Sequence, residues 1–269
     1  MTDKYAVIGN PISHSKSPLI HRLFAEQTGQ DISYEAIEAP LNGFAATIGR
    51  LRDEGYQGCN VTIPFKFEAF KLATQLAERA RAAQAVNTLK FDSETIAGDN
   101  TDGAGLVRDI LENQGFPLEG CRVLLMGAGG AAYGVVLPLL AAGASLMLVN
   151  RTVEKAQQLG AAFAARGQIN ICSYAGINGQ SFDCVINATS SGLKDELPPL
   201  PDGLFKPGAL AYDMMYGRET PFMAFARKRG AAIVADGLGM LVEQAAEAFY
   251  LWRGVRPQTR SVIAALRDR

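Results

Sequence analysis

Histidine is almost missing from this chain: of 269 residues only His14 and His21 carry an imidazole. A histidine-built metal centre is therefore excluded, and acid–base chemistry falls to another residue type. Cysteine is sparse too. Cys59, Cys121, Cys172 and Cys184 are scattered through apolar segments, in a spacing that suits neither a zinc site nor a disulfide framework, so a reducing cytoplasm is expected. Neither charge dominates, with 26 Lys and Arg against 27 Asp and Glu, which removes the basic excess that nucleic-acid binding uses. The longest apolar stretch, around 135–148, is broken by Gly143 and is too short to span a bilayer. The opening MTDKYAVIG lacks the layout of a secretion signal. Internal repeats and low-complexity tracts are also absent.

What is present is alternation. Strand-like runs at Tyr5–Gly9, Ser33–Ala39 and Gly58–Val61 alternate with helical periodicity at Leu19–Gln27 and Phe44–Asp53. Two short strands, Ala85–Phe91 and Thr95–Gly98, end at the polar tract DNTDG, and a helix is expected over Leu106–Asn113. After the turn QGFPLEG the pattern restarts at Arg122–Met126, with further strands expected at Leu146–Val149, Cys184–Asn187, Leu210–Met214 and Ala232–Ala235. Two helices split near Pro257 close the chain. The expected fold class is α/β, with two parallel-type α/β domains, the second a Rossmann-like doubly wound domain.

The restart carries a cofactor signature. Gly127, Ala128, Gly129, Gly130 and Ala131 begin GAGGAA, a G-x-G-x-x-A turn between the strand VLLM and an apolar helix. Such glycines permit a tight turn and close approach to a pyrophosphate at a helix N-terminus. An NAD site places a carboxylate about 20 residues beyond the first glycine. Here stand Asn150, Arg151 and Thr152, with Lys155 one turn later. A guanidinium can grip a 2′-phosphate that a carboxylate would repel, which points to NADP.

At the other end, Asn10–Pro18 reads NPISHSKSP between a strand and a helix that opens on proline. Ser15 and Ser17 can cap that helix or offer hydroxyl donors to an anion. NVTIPFK (Asn60 to Lys66), AVNT (Ala85 to Thr88), DNTD (Asp99 to Asp102), NATSSG (Asn187 to Gly192) and ADGLGMLVEQA (Ala235 to Ala245) follow. With GAGGAA and NRT these segments, in order and spacing, resemble the shikimate dehydrogenase family over essentially the whole chain.

The resemblance implies reversible reduction of 3-dehydroshikimate to shikimate with NADPH, a step toward chorismate and the aromatic amino acids. It implies a substrate-binding and catalytic domain of residues 1–102 plus 237–269, and an NADP-binding domain of residues 103–236. Ser15 and Ser17 then bind the substrate carboxylate, and Asn60, Thr62, Asn87, Asp102 and Gln244 satisfy its hydroxyls. Tyr216 approaches the substrate from the second domain. Thr189 and Met214 lie beside the cofactor, and Gly237 and Met240 near the nicotinamide.

Ketone reduction needs a proton on the carbonyl oxygen as hydride reaches carbon. Lys66 is the natural general acid, with Asp102 holding it in register. The reverse assignment, Asp102 carrying the proton and Lys66 stabilising the oxyanion, stays open. No metal is expected. Tyr133 departs from the family pattern: relatives carry a small, polar or basic side chain after GAGGAA, and a tyrosine there either covers the helix or alters packing on the phosphate side. Two rival readings remain, a relative that also oxidises quinate, often with NAD, and a silent shikimate-binding module. The serine pair and NRT disfavour the first; Lys66 and Asp102 together disfavour the second. A small-molecule substrate is expected, with no nucleic-acid or membrane partner, in a monomer or homodimer.

Overall fold

The computed structural model describes residues 2–189, 191 and 195–267. Ser190 and Gly192 of the NATSSG segment lie outside the described residues, as do the extreme termini. The chain divides into two compact units, residues 1–105 with 242–269 and residues 106–241. The expected boundaries, after Asp102 and before Gly237, stand a few residues from these divisions.

The first unit begins β1 (Asp3–Gly9), α1 (Ser17–Thr28), β2 (Ile32–Glu38), α2 (Phe44–Asp53), β3 (Tyr56–Val61) and α3 (Lys66–Leu72). It continues with β4 (Gln75–Leu76), α4 (Glu78–Ala83), β5 (Thr88–Phe91) and β6 (Ile96–Asp99), then enters α5 (Asp102–Arg108). The sheet order is β2-β1-β3-β5-β6-β4. β1 runs parallel to β2 and β3, whereas β5 is antiparallel to β3 and β6. The parallel portion thus carries a hairpin on one side, and the two residues of β4 form its edge. One face of the sheet packs Ile8, Cys59, Val61 and Leu89 against Phe44, Ile48 and Leu51 of α2.

The second unit contains β7 (Arg122–Met126), α6 (Gly130–Ala141), β8 (Ser145–Val149), α7 (Val153–Phe163), β9 (Ile169–Cys172), β10 (Phe182–Asn187), β11 (Phe205–Asp213), α8 (Pro221–Lys228) and β12 (Ile233–Ala235). Its sheet, β12-β11-β10-β7-β8-β9, is parallel throughout. Strand order reverses between β7 and β10, so the turn after β7 opens at the switch point of a doubly wound sheet. Near-continuous apolar runs such as RVLLM and SLMLV form these strands because helices cover both faces.

The chain ends with α9 (Leu238–Arg253) and α10 (Arg260–Arg267). In the first unit, Phe249 and Trp252 of α9 meet Phe24 of α1, Tyr5 and Tyr34 in an aromatic cluster around His21. All four cysteines are free thiols. Among the described residues no helix is long and apolar enough to cross a membrane.

Candidate functional site

In the first unit, the loop after β3 delivers Lys66 as the first residue of α3, and Asp102 opens α5. Lys66 Nζ lies 2.5 Å from Asp102 Oδ2. The other carboxylate oxygen accepts from Asn87 Nδ2 at 2.8 Å. Asn87 is itself fixed on several sides. Its Nδ2 also reaches Thr101 Oγ1 (2.9 Å) and Gln244 Oε1 (3.3 Å), and its Oδ1 accepts the Thr101 backbone N–H at 2.8 Å. Asn100 Oδ1 accepts the N–H of Asp102 at 3.1 Å, which holds the first residue of α5 and the direction of the candidate carboxylate. These bonds explain why a polar tract, DNTD, is buried: each side chain satisfies a neighbour.

Asn60, at the end of β3, donates to Thr88 Oγ1 (3.0 Å) and Asn87 O (3.2 Å), and accepts from the Tyr34 hydroxyl at 2.7 Å. Lys66, Asp102, Asn87, Gln244 and Asn60 therefore form one connected polar array. Thr62 follows β3, half-buried, with its N–H on Ile8 O.

The serines differ from a simple capping pair. Lys16 occupies the N-cap of α1, and no side chain caps that position. Ser15 Oγ instead accepts the N–H of Ser17 at 3.2 Å, and the Ser17 side chain is buried. Burial holds the Tyr34 phenol well above its ordinary pKa, with the nearby Cys59 thiol adding to the rise and Ser17 opposing it. Tyr34 is held through its hydroxyl by Asn60. Its ring stacks on His21 at 4.0 Å between centroids. His21 is wholly buried, and desolvation pushes its pKa down to about 3 against the opposing effect of Asn60.

The second unit holds the glycine turn. Gly127 has φ +110°, and a Cβ there would lie 2.9 Å from Ala188 O, so only glycine permits this approach. Gly129 is the N-cap of α6 with open space around its missing Cβ, no side chain caps the helix, and its first turn holds no acidic residue. Its first N–H groups are thus available to an anion, beside Ala128, Gly130 and Ala131. Arg151, Thr152 and Lys155 are exposed beyond β8, and Asn150 Nδ2 bonds Thr152 O at 2.8 Å. An open glycine cradle followed by cations rather than a carboxylate fits a dinucleotide bearing a 2′-phosphate. Tyr133 is half-buried, its ring 6.3 Å from that of Phe163, so it packs along the α6–α7 side.

Nearby, Thr189 bonds to Asn187 Oδ1 through its N–H (3.1 Å) and hydroxyl (2.7 Å). The Met214 N–H reaches Asn187 O at 3.0 Å, and Gly237 N–H reaches Met215 O at 2.8 Å. Thr189, Met214 and Gly237 are thereby drawn to the carboxyl ends of β10 and β11. Met240 is buried in the first turn of α9. Tyr216 is half-buried after β11, and burial raises its pKa.

Tyr34, Thr101, His21 and Asn100 were not singled out as site residues from sequence. Asn100 and Thr101 sit inside DNTD and could have been. Tyr34 and His21 carry no local mark, since only packing reveals their contacts.

Three family models match the chain. They describe a shikimate dehydrogenase substrate binding domain (residues 7–89), a shikimate / quinate 5-dehydrogenase (108–194) and a shikimate 5′-dehydrogenase C-terminal domain (237–267). The chain is 62% identical over 268 residues to a shikimate dehydrogenase (NADP(+)) of Methylobacillus flagellatus, covering 98% of this chain and 99% of the relative. Among solved structures it resembles an Ael1 enzyme from Pseudomonas putida, with TM-score 0.94, 52% identity and 98% of each chain covered. It also resembles the shikimate 5-dehydrogenase of Thermus thermophilus in complex with NADP(H) and shikimate, with TM-score 0.89, 32% identity and 99% of each chain covered.

Proposed function

The chain belongs to the shikimate dehydrogenase family, and from that premise we propose that it reversibly reduces 3-dehydroshikimate to shikimate with NADPH, on the route to chorismate. The observation that carries this reading is the Lys66–Asp102 contact of 2.5 Å inside a buried array of amide and hydroxyl side chains. A binding pocket for a polyol needs the amides and hydroxyls; a proton-transfer pair is needed only for chemistry.

Substrate binding and acid–base chemistry belong to the first unit and the cofactor to the second. Ser15 and Ser17 bind the substrate carboxylate through their hydroxyls. Asn60, Thr62, Asn87 and Gln244 receive the substrate hydroxyls, and their mutual bonds hold them in place beforehand. Gly127 to Ala131 cradle the pyrophosphate, Asn150, Arg151, Thr152 and Lys155 hold the adenosine 2′-phosphate, and Thr189, Met214, Gly237 and Met240 line the nicotinamide end.

When bound, NADPH supplies the hydride. Lys66 delivers the proton to the carbonyl oxygen. Both oxygens of Asp102 already accept hydrogen bonds, from Lys66 and Asn87, whereas the Lys66 ammonium has three N–H donors and spends one on Asp102. Asp102 therefore orients the donor, and in the oxidative direction Lys66 takes the proton back. The enzyme works in the cytoplasm, which its four free thiols suit.

The test is an initial-rate grid of shikimate and quinate, each with NADP+ and NAD+, read by nicotinamide absorbance. Turnover confined to shikimate with NADP+ supports the proposal. Comparable rates with quinate or NAD+ move the chain to the other branch of its family. Binding of shikimate with no turnover makes it a silent shikimate-binding module.

A further inference from the structure

Asp109 is a wholly buried carboxylate. It opens a π-helical turn, Asp109–Asn113, that continues α5. Such turns cost regularity and are found disproportionately where a side chain must be aimed for function. Asp109 Oδ1 accepts from Asn113 Nδ2 at 2.9 Å, and Oδ2 accepts from the hydroxyl of Tyr212 at 2.7 Å. Tyr212, next to last in β11, is also fully buried, and burial followed by the Asp109 charge holds its phenol well above the ordinary tyrosine range. The phenol oxygen in turn accepts the backbone N–H of Met240 at 3.3 Å.

The backbone beside Met240 is pressed against the same group. A Cβ on Gly239 would lie 1.9 Å from Asp109 Oδ1, and one on Gly237 would lie 2.2 Å from Met214 O. The turn entering α9 is thus held at two places: at Gly237 by the backbone after β11, and at Gly239 and Met240 by the Asp109–Tyr212 pair. Burying a carboxylate and a phenol is unfavourable unless each finds partners, and an apolar plug would fill this space at less cost. What the polar pair supplies, and a plug would not, is a directional acceptor for one N–H in the first turn of α9, which has no partner within the helix.

We propose that Asp109 and Tyr212 are positioning residues that fix the Gly237–Met240 turn in the register that receives the nicotinamide end of the cofactor. The inference rests on the cofactor reading given above. It makes the two halves of NADP+ separable. The adenosine 2′-phosphate half is held at the glycine turn and Arg151, which the pair does not touch; the nicotinamide half meets the braced turn.

The test is Tyr212→Phe, which removes one oxygen and leaves the ring. Affinities of wild type and variant are measured by calorimetry for NADP+ and for adenosine 2′,5′-bisphosphate, which lacks the nicotinamide half, below the melting temperature of both proteins. Losing the hydroxyl should weaken NADP+ about five- to tenfold, the scale of one hydrogen bond, and leave the bisphosphate within about twofold. Equal weakening of both ligands signals general damage to the unit and overturns the proposal, as does unchanged affinity for both. Should Tyr212→Phe not fold, Gly239→Ala, whose Cβ drives the Asp109 carboxylate from its place, must show the same split. A wild type that binds neither ligand removes the cofactor reading itself, and the proposal with it.

Discussion

Replacing Lys66 by methionine removes the proton donor proposed above and keeps most of the side chain's length and apolar stem. The structure bounds both consequences. Lys66 is 26% exposed and Asp102 11% exposed at the side chain, so the pair is partly shielded yet still reaches solvent. With Lys66 gone, Asp102 keeps the Asn87 bond at 2.8 Å and its N-terminal place on α5, so the carboxylate is not stranded. The loss in folding stability is then about 1–2 kcal/mol, one charge-assisted hydrogen bond partly replaced by water. The chemical loss is larger. A positioned general acid contributes about two to four orders of magnitude, which at 1.36 kcal/mol per factor of ten is about 3–5 kcal/mol of barrier. Lys66→Met should therefore lower kcat by about 10²- to 10⁴-fold while KM for shikimate changes less than about fivefold, because the serines and amides proposed to bind the ground state remain. Initial rates followed by nicotinamide absorbance, with a melting curve to confirm folding, make the measurement. A kcat within tenfold of wild type would remove Lys66 from proton transfer. A raised KM at constant kcat would make it a binding residue only.

Arg151→Ala should weaken NADP+ about ten- to hundredfold and leave NAD+ unchanged, since only the 2′-phosphate distinguishes them; a titration showing equal loss for both refutes the 2′-phosphate assignment. His21 supplies a pH prediction. Its pKa is lowered to about 3 in the folded state by burial, against an ordinary 6.5, so the unfolded chain binds the extra proton first. The stability from keeping it neutral is complete above about pH 6.5 and is lost as pH falls toward 3, with a slope of up to about 1.4 kcal/mol per pH unit. Urea unfolding of wild type and His21→Phe at stepped pH isolates this contribution, because the carboxylates titrate in both; parallel curves would show that His21 is not buried as the neutral form.

The sequence reached furthest where structure is local. The runs VLLM and LMLV are apolar on both faces, GAGGAA must turn tightly, and NRT must follow a strand end, so the second sheet and its cofactor turn are readable within windows of a few residues. Two edge strands escaped that reading. β4 has only two residues, and β9 is INIC with half its side chains toward solvent, so neither carries a full apolar pattern. The helix expected over Leu106–Asn113 begins instead at Asp102, where Asn100 Oδ1 takes the first N–H from within a tract that reads simply as polar, and its second half winds into a π turn.

The chain alone narrowed the chemistry: with two histidines it made Lys66 and Asp102 the candidates for proton transfer, and Arg151 where an acid would stand pointed to a 2′-phosphate. Only the tertiary structure decided which groups meet. Lys66 finds Asp102 across 36 residues of chain, and Asn87 finds Gln244 across 157. Asp109 finds Tyr212 across 103. No local pattern encodes such pairs, because they depend on strand order, register and the return of α9, and a hydrogen bond survives only if all of these place two atoms within a few tenths of an ångström.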